Sequence, residues 1–415
     1  MSKKNLPIKV DYLEKPFDKF WLLNTDISSM FRPHSPSLPQ RRHVYKANNQ
    51  VKGNRPVGIG YELSCVGLSC RRPHYGISEP AWNPPLSMRL VPYGENKNSF
   101  TANQVNDIVT NKDLPFHKGL TVNTLDSNYC SPEYVVDTHD CPNLVNIIRM
   151  PSNRNVWKQL KEKEVELHRA GNTDNRGANK VYGDLYKLKN VDNWGMQADE
   201  QTRFGIKLSN GKTCIVQMEI WEDMMVRTKR GKSMKNKPFR LVRIQLLDSV
   251  TNKPLFKRCM WLCVWGKRRK ELSAEEIYWA YRNRYDIEHF FRFGKQKLLL
   301  DKYQTPDENH LENWLEVVNL AYWLLFVGKK EAQHTCRKWQ QYDKNYKNRM
   351  HYDMDVTPSQ VQLQLSGIIL GFEQDDFLPK PQKKGKGRQT GQTQPKRTKY
   401  PILKKKKKRK KQKKK

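Results

Sequence analysis

The sequence predicts an α/β protein: a mixed sheet with helices, interrupted by a β-rich stretch and followed by a basic tail. Three observations predict it. Apolar runs of strand length and one helical repeat fill the first 150 residues. The composition then turns polar and Gly/Asn-rich near Pro151, and β-rich after Asn190. Two long helical segments come next, before a lysine-rich end without apolar periodicity.

Taken in order, FWLLNTD (Phe20–Asp26) reads as a strand ending on an acid, followed by the Pro-rich loop FRPHSPSLPQRR. PVGIGYELSCVGL and SMRLVPYG read as two further strands, and ANQVNDIVTN has helical spacing. LTVNTLD (Leu120–Asp126) is another strand ending on an acid, SPEYVVDTH a short helix and LVNIIRM (Leu144–Met150) a strand. In TRFGIKLSNGKTCIVQMEIW the alternation is centred on Asn210-Gly211, a two-residue hairpin turn. FRLVRIQLLD and PLFKRCMWLCVW add strands, and Ala274–Leu299 and His310–Lys329 are helical. The expected organisation is a short N-terminal segment (1–19), an α/β domain (20–150), an inserted β-rich domain (151–270), the helical second part of the α/β domain (271–330), a C-terminal helical region (331–378) and a disordered Lys-rich tail (379–415).

The formal net charge is +35; the tail holds 19 Lys and Arg and no acid, which leaves +16 for the remaining 378 residues. The folded part is therefore basic too, and an excess of this size points to a polyanionic partner. Eight scattered cysteines, with no Cys-x-x-Cys pair and no zinc-finger spacing, exclude a disulfide framework and read as reduced thiols in a cytoplasmic protein. The N-terminus has no apolar signal core. The most apolar run, Leu315–Gly328, contains Glu316 and Asn319 and falls short of the roughly 20 residues of a membrane span.

Two acids, Asp26 and Asp126, close apolar runs. Carboxylates at the ends of adjacent strands would put hard oxygen ligands on one rigid edge, the coordination that hard divalent metals take in phosphoryl transfer; a lone Asp there is more often a turn or cap. The segment YRNRYDIEHFFRFGK is richer. On one continuous helix, at about 100° per residue, Tyr281, Arg284, Glu288 and Lys295 share an arc of about 60°. Beside it runs an apolar stripe that includes Ile287, Phe290 and Phe291. A cationic file around one acid suits a metal ligand whose neighbours hold phosphates; the same four-residue spacing also makes an ordinary helix-stabilising ladder.

This spacing resembles the YREK motif of a branch of bacterial insertion-sequence transposases, which carry a DDE triad on a ribonuclease-H-like domain with a β-domain inserted before the Glu. NTDISSMFRP looks like their first-Asp motif and LTVNTLDSNYCSPEYV like their second. The resemblance runs from about Phe20 to Lys329. It implies a ribonuclease-H-like fold and a catalytic triad of Asp26, Asp126 and Glu288 holding two magnesium ions (Mg2+, with Mn2+ able to substitute). It also implies cut-and-paste strand cleavage and transfer, with DNA as partner (element ends and target) and a homodimer in the DNA complex. Tyr281, Arg284 and Lys295 would contact phosphates near the element terminus. Relatives stack a flipped base on a Trp of the inserted domain; Trp261 falls about there, Trp265 being the other candidate on that strand, and a buried core Trp the plain alternative. Relatives usually carry a helical DNA-binding domain ahead of the first catalytic strand, whereas fewer than 20 residues precede Phe20. The competing expectation is therefore a truncated, inactive copy that only binds DNA.

Overall fold

The computed structural model describes residues 15–32, 40–45, 56–71, 80–160, 182–208, 212–228, 232–305, 307–332 and 356–371, with 391, 393 and 403–404. The described strands are β1 (Phe20–Phe31), β2 (Arg42–Tyr45), β3 (Pro56–Leu68), β4 (Pro85–Leu90), β5 (Leu120–Leu125), β6 (Leu144–Met150), β7 (Asn155–Gln159), β8 (Tyr182–Lys187), β9 (Glu200–Lys207), β10 (Thr213–Met225), β11 (Phe239–Asp248), β12 (Met260–Trp265) and β13 (Leu403–Lys404). The α-helices are α1 (Lys97–Thr110), α2 (Pro132–His139), α3 (Ala274–Arg282), α4 (Tyr285–Gln296), α5 (Glu308–Gly328) and α6 (Pro358–Gly371).

All these strands join one mixed sheet, in the order β13-β3-β1-β5-β6-β12-β11-β10-β7-β8, with β2 and β4 also on β3 and β9 on β10. β1 pairs antiparallel with β3 but parallel with β5, and β5 runs parallel to β6. This is the mixed α/β, ribonuclease-H-like arrangement. Alternation along β1 serves both faces: Trp21 and Leu23 join one core with α1, α4 and α5, while Phe20 and Leu22 join another with α3. A third core packs α2 against β6, β11 and β12. The strands between β6 and the Glu288 helix extend this same sheet, because β12 hydrogen-bonds along β6 from Trp261/Met150 to Trp265/Asn146.

Several expectations need correction. β1 does not end at Asp26: it continues to Phe31, because β3 pairs with it residue by residue from Leu23/Leu68 to Phe31/Gly60 after the pairing with β5 stops at Asn24/Thr124. The helix over Ala274–Leu299 is two helices. Its start is a capping box, Ser273 with Glu276, but it breaks at Asn283–Arg284, where Asp286 N–H bonds Asn283 O (3.0 Å) and Asn24 Nδ2 donates to that same carbonyl (3.0 Å). The single 60° arc therefore spans two axes. Strands β2, β7 and β8 were not expected; β7 and β8 sit in a stretch whose polar composition hid them. The β9–β10 hairpin forms, with Leu208 N–H on Lys212 O at 2.8 Å; its Asn210-Gly211 turn lies outside the described residues. Of the Lys-rich tail, Leu403–Lys404 pair with Val57 and Pro56, and nearly all the rest lies outside the described residues. No helix of the described residues is long and apolar enough to cross a membrane. The seven described cysteines are free thiols.

Candidate active site

Where the pairing of β1 with β5 stops, Asp26, inside β1, comes level with the C-terminal ends of β5 and β6, and α4 crosses there. Asp26 lies two residues beyond the last β1–β5 pair, its side chain 23% exposed. Asp126 follows β5 directly and caps the next turn, accepting Asn128 N–H (2.8 Å) and Asn128 Nδ2 (2.9 Å). The cap role and a place at the sheet end thus coincide in one residue. Glu288, in the first turn of α4, is more open than Asp26, its side chain 41% exposed.

Arg284 joins two of them. Its guanidinium donates to Glu288 Oε1 at 2.7 Å and lies 3.7 Å from Asp26 Oδ2, while only 8% of its side chain is exposed. Burial alone would lower the Arg284 pKa; Tyr281, Asp26 and Glu288 hold it above the ordinary value instead. Asp26 shows the opposing strain. Burial, then the negative charge of Asp126, push its carboxyl up to about 7, against the pull of Arg284 and of the Ile27 N–H.

Tyr281 is buried, its phenol raised by burial against the lowering effect of Arg284 and Arg149. Lys295 donates to Ser29 O at 3.0 Å, and burial lowers its pKa. The structure therefore gathers Asp26, Asp126, Tyr281, Arg284, Glu288 and Lys295 at one end of the sheet. Trp261 stands apart in the third core, 2% exposed, its ring 5.8 Å from both Trp194 and Trp221. Trp265 is equally buried, packs on Phe239 and donates to Lys237 O.

Sequence reasoning missed the framework beneath the acids. Asn24, fully buried two residues before Asp26, donates from Nδ2 to Asn83 Oδ1 (2.8 Å) and to Asn283 O (3.0 Å), and accepts Thr124 Oγ1 (2.6 Å). Thr124 stands two residues before Asp126, and Asn283 lies at the helix break five residues before Glu288. One amide thus ties together the three elements that carry the acids. Beside it, Thr25 bonds Asn123 (2.8 Å), and Asn123 reaches Tyr134 (2.9 Å) and, through Tyr134, Asn146 (3.0 Å). No local signal marked Asn24 or Thr124: β1 and β5 carry several polar residues (Asn24 and Thr25; Thr121, Asn123 and Thr124), and their partners lie far along the chain. Arg149, exposed on β6 and close enough to act on Tyr281, was missed as well.

The donor set, carboxylate oxygens on adjacent strands and a facing helix, suits hard divalent cations. Among the described residues no three acids, histidines or cysteines converge tightly enough to hold a single ion, which accords with Arg284 lying between Asp26 and Glu288.

A search of curated proteins gives no match to the chain. The family model of the transposase DDE domain matches residues 85–324, more than half of the chain. The match includes Asp126, Tyr281, Arg284, Glu288 and Lys295, and begins after Asp26. Transposases with this domain act on DNA and generally use divalent metals. On the strength of that match and of the fold that presents these residues, the chain belongs to the transposase DDE domain family.

Proposed function

We propose that this chain is a cut-and-paste transposase of the YREK branch of bacterial insertion sequences, with Asp26, Asp126 and Glu288 as its catalytic acids. The observation that carries the reading is the meeting of the three acids at one sheet end, with Asp26 and Glu288 on either side of Arg284 and Asp26 pushed up by burial and by Asp126. The three would hold two Mg2+ ions, or Mn2+. When bound, such ions make water a stronger acid and neutralise charge on phosphate oxygens.

The chain's own residues do the rest. Water attacks phosphorus at an element end, the bond to the 3′ oxygen breaks, and a 5′ phosphate and a 3′ hydroxyl result. That hydroxyl then attacks a second phosphodiester and displaces its 3′ oxygen. Arg284 swings from Glu288 to a phosphate, where its planar fork grips two oxygens. Lys295 uses one of its three hydrogens on Ser29 O and offers the others to the strand crossing β1. Tyr281 backs Arg284, and Arg149 extends the cationic rim. Trp261 would stack an extruded base only after Trp194 moves aside. Two copies acting together would pair the two element ends, in the cytoplasm where that DNA lies.

Nicking of supercoiled plasmid with Mg2+ or Mn2+ tests this, comparing the wild-type chain with Glu288→Gln. Metal-dependent nicking that the substitution removes supports the site. DNA binding without nicking by either protein supports an inactive copy, and equal nicking by both removes Glu288 from the mechanism.

A further inference from the structure

The connection between β11 and β12 overhangs the end of the sheet that carries the acids. The register places it there. Asp126 follows Leu125, which pairs with Ile148; the next residue of β6, Arg149, pairs with Leu262, and Leu262 with Val242. From Val242, β11 continues six residues to Asp248, which pairs with Cys214 at the start of β10. At about 3.3 Å per residue, the tip stands roughly 20 Å beyond the level of Asp126.

The tip is tightly built. Leu255 N–H bonds Leu246 O (2.8 Å), Asp248 N–H bonds Lys253 O (2.9 Å) and Asn252 N–H bonds Asp248 O (2.9 Å). Gln245 Nε2 holds Phe256 O (3.1 Å). Held in this way, Phe256 is 60% exposed and Val250 89%. Around them Lys253, Lys257 and Arg258 are exposed, and none of the three forms an ion pair among the described residues. The one acid of the tip, Asp248, is occupied by the turn, accepting the N–H groups of Val250 (3.1 Å) and Thr251 (2.8 Å) and the Thr251 hydroxyl (3.0 Å).

Exposed apolar side chains set among exposed cations, on a hairpin closed by hydrogen bonds, suit a binding surface. The charge selects a polyanion, and the position on the acid-bearing end selects the one that the site would cut. We propose that the β11–β12 tip is a contact surface for duplex DNA flanking the cut, with Lys253, Lys257 and Arg258 on phosphates and Phe256 against the groove edge. This rests on the reading of the acids as a DNA-cutting site. At about 3.4 Å per base pair, the contact falls roughly six base pairs from the scissile phosphate. Phosphate contacts fix register on the duplex, and an apolar wedge favours deformable steps.

The test uses the full chain, a linear duplex and a salt titration. The combined Lys253→Gln, Lys257→Gln and Arg258→Gln variant should lower the slope of log K against log salt by about two to three, at roughly 0.9 per lost phosphate contact. Phe256→Ala should weaken binding about fivefold or more with the slope unchanged, on the scale of one lost stacking or wedge contact. Both variants alter exposed residues and should melt like wild type. Unchanged slope and affinity in both, with nicking by wild type that Glu288→Gln removes, would overturn the tip and leave the cutting site standing. The expected binding changes without any Glu288-dependent nicking would keep the tip as a DNA surface and fault the cutting site instead. Loss of binding to vesicles containing phosphatidylserine, with DNA binding intact, would assign the tip to a membrane surface and overturn the proposal.

Discussion

The two halves of the sheet hold their shape by different means. Around β1, β5 and β6 the interior is wired: Asn24, Asn83, Asn123, Thr124, Tyr134 and Asn146 are all buried and joined by directional hydrogen bonds. Around β10, β11 and β12 the interior is filled: Trp194, Trp221 and Trp261 lie within 5.1–5.8 Å of one another, beside Met224 and Met234. The buried indole N–H groups of Trp221 and Trp261 have no hydrogen-bond partner among the described residues. Packing tolerates small shifts, whereas a hydrogen bond fixes distance and angle. The wired half carries the three acids, and that is where position matters to fractions of an ångström.

The largest effect should come from cutting the wiring at its centre. Asn24→Leu keeps the branched shape but strands Asn83 Oδ1 and leaves the Asn283 carbonyl and the Thr124 hydroxyl with only Asp286 N–H and Leu23 O (3.4 Å) as partners in the interior. At about 1–3 kcal/mol for the stranded oxygen, plus two lost hydrogen bonds at about 1 kcal/mol each, the total is several kcal/mol. Calorimetry should show a melting point lower by roughly 5–15 °C, and nicking should be lost even well below it. Wild-type nicking from a folded Asn24→Leu protein would break the comparison.

Gly67→Ala attacks the same network from its neighbour. A Cβ at Gly67 would sit 1.8 Å from Asn83 Nδ2, so Asn83 must move and release Asn24. Overpacking of this kind costs about 1–3 kcal/mol, and nicking should fall more steeply than stability. Trp221→Phe is the counterpart in the filled half. It should lower stability by roughly 1–2 kcal/mol, softened by removal of a buried indole N–H, while the nicking rate at saturating metal stays near wild type. A loss of nicking equal to that of Gly67→Ala would mean that the halves do not differ in what they hold.

Legibility followed the same division. Short apolar runs announced β3, β6 and β11, because burial on both faces leaves a near-continuous apolar stretch in a strand. The mixed sheet and the helix over Pro132–His139 were likewise readable, and the resemblance pointed to the gathering of Arg284 and Glu288 near the two Asp residues. The extent of β1 was not, since its continuation past Asp26 depends on β3, far along the chain. The break at Asn283 was hidden because Tyr281–Lys295 has good helical periodicity; the distant Asn24 amide captures its carbonyl and ends the helix. Asn24 itself was read as part of an apolar strand, for nothing local distinguishes an amide that bonds three distant segments from one facing solvent.

The smallest expected effect has the opposite sign. The Asp26 carboxyl is raised from 3.8 to about 7 by burial and by Asp126. The folded chain therefore holds a proton that the unfolded chain releases near pH 4, and its stability falls as pH rises from there to about 7, then stays level. Asp26→Asn has no charge to bury and keeps the shape; Arg284 retains Glu288 at 2.7 Å. In EDTA the variant should melt a few degrees above wild type at pH 8 and close to it at pH 4. Divalent metal should raise the melting point of wild type and leave that of the variant nearly unmoved, reversing their order. A difference that does not change between pH 4 and pH 8 would mean that Asp26 is not held under charge strain, and the wired half would lose the feature that links its rigidity to metal binding.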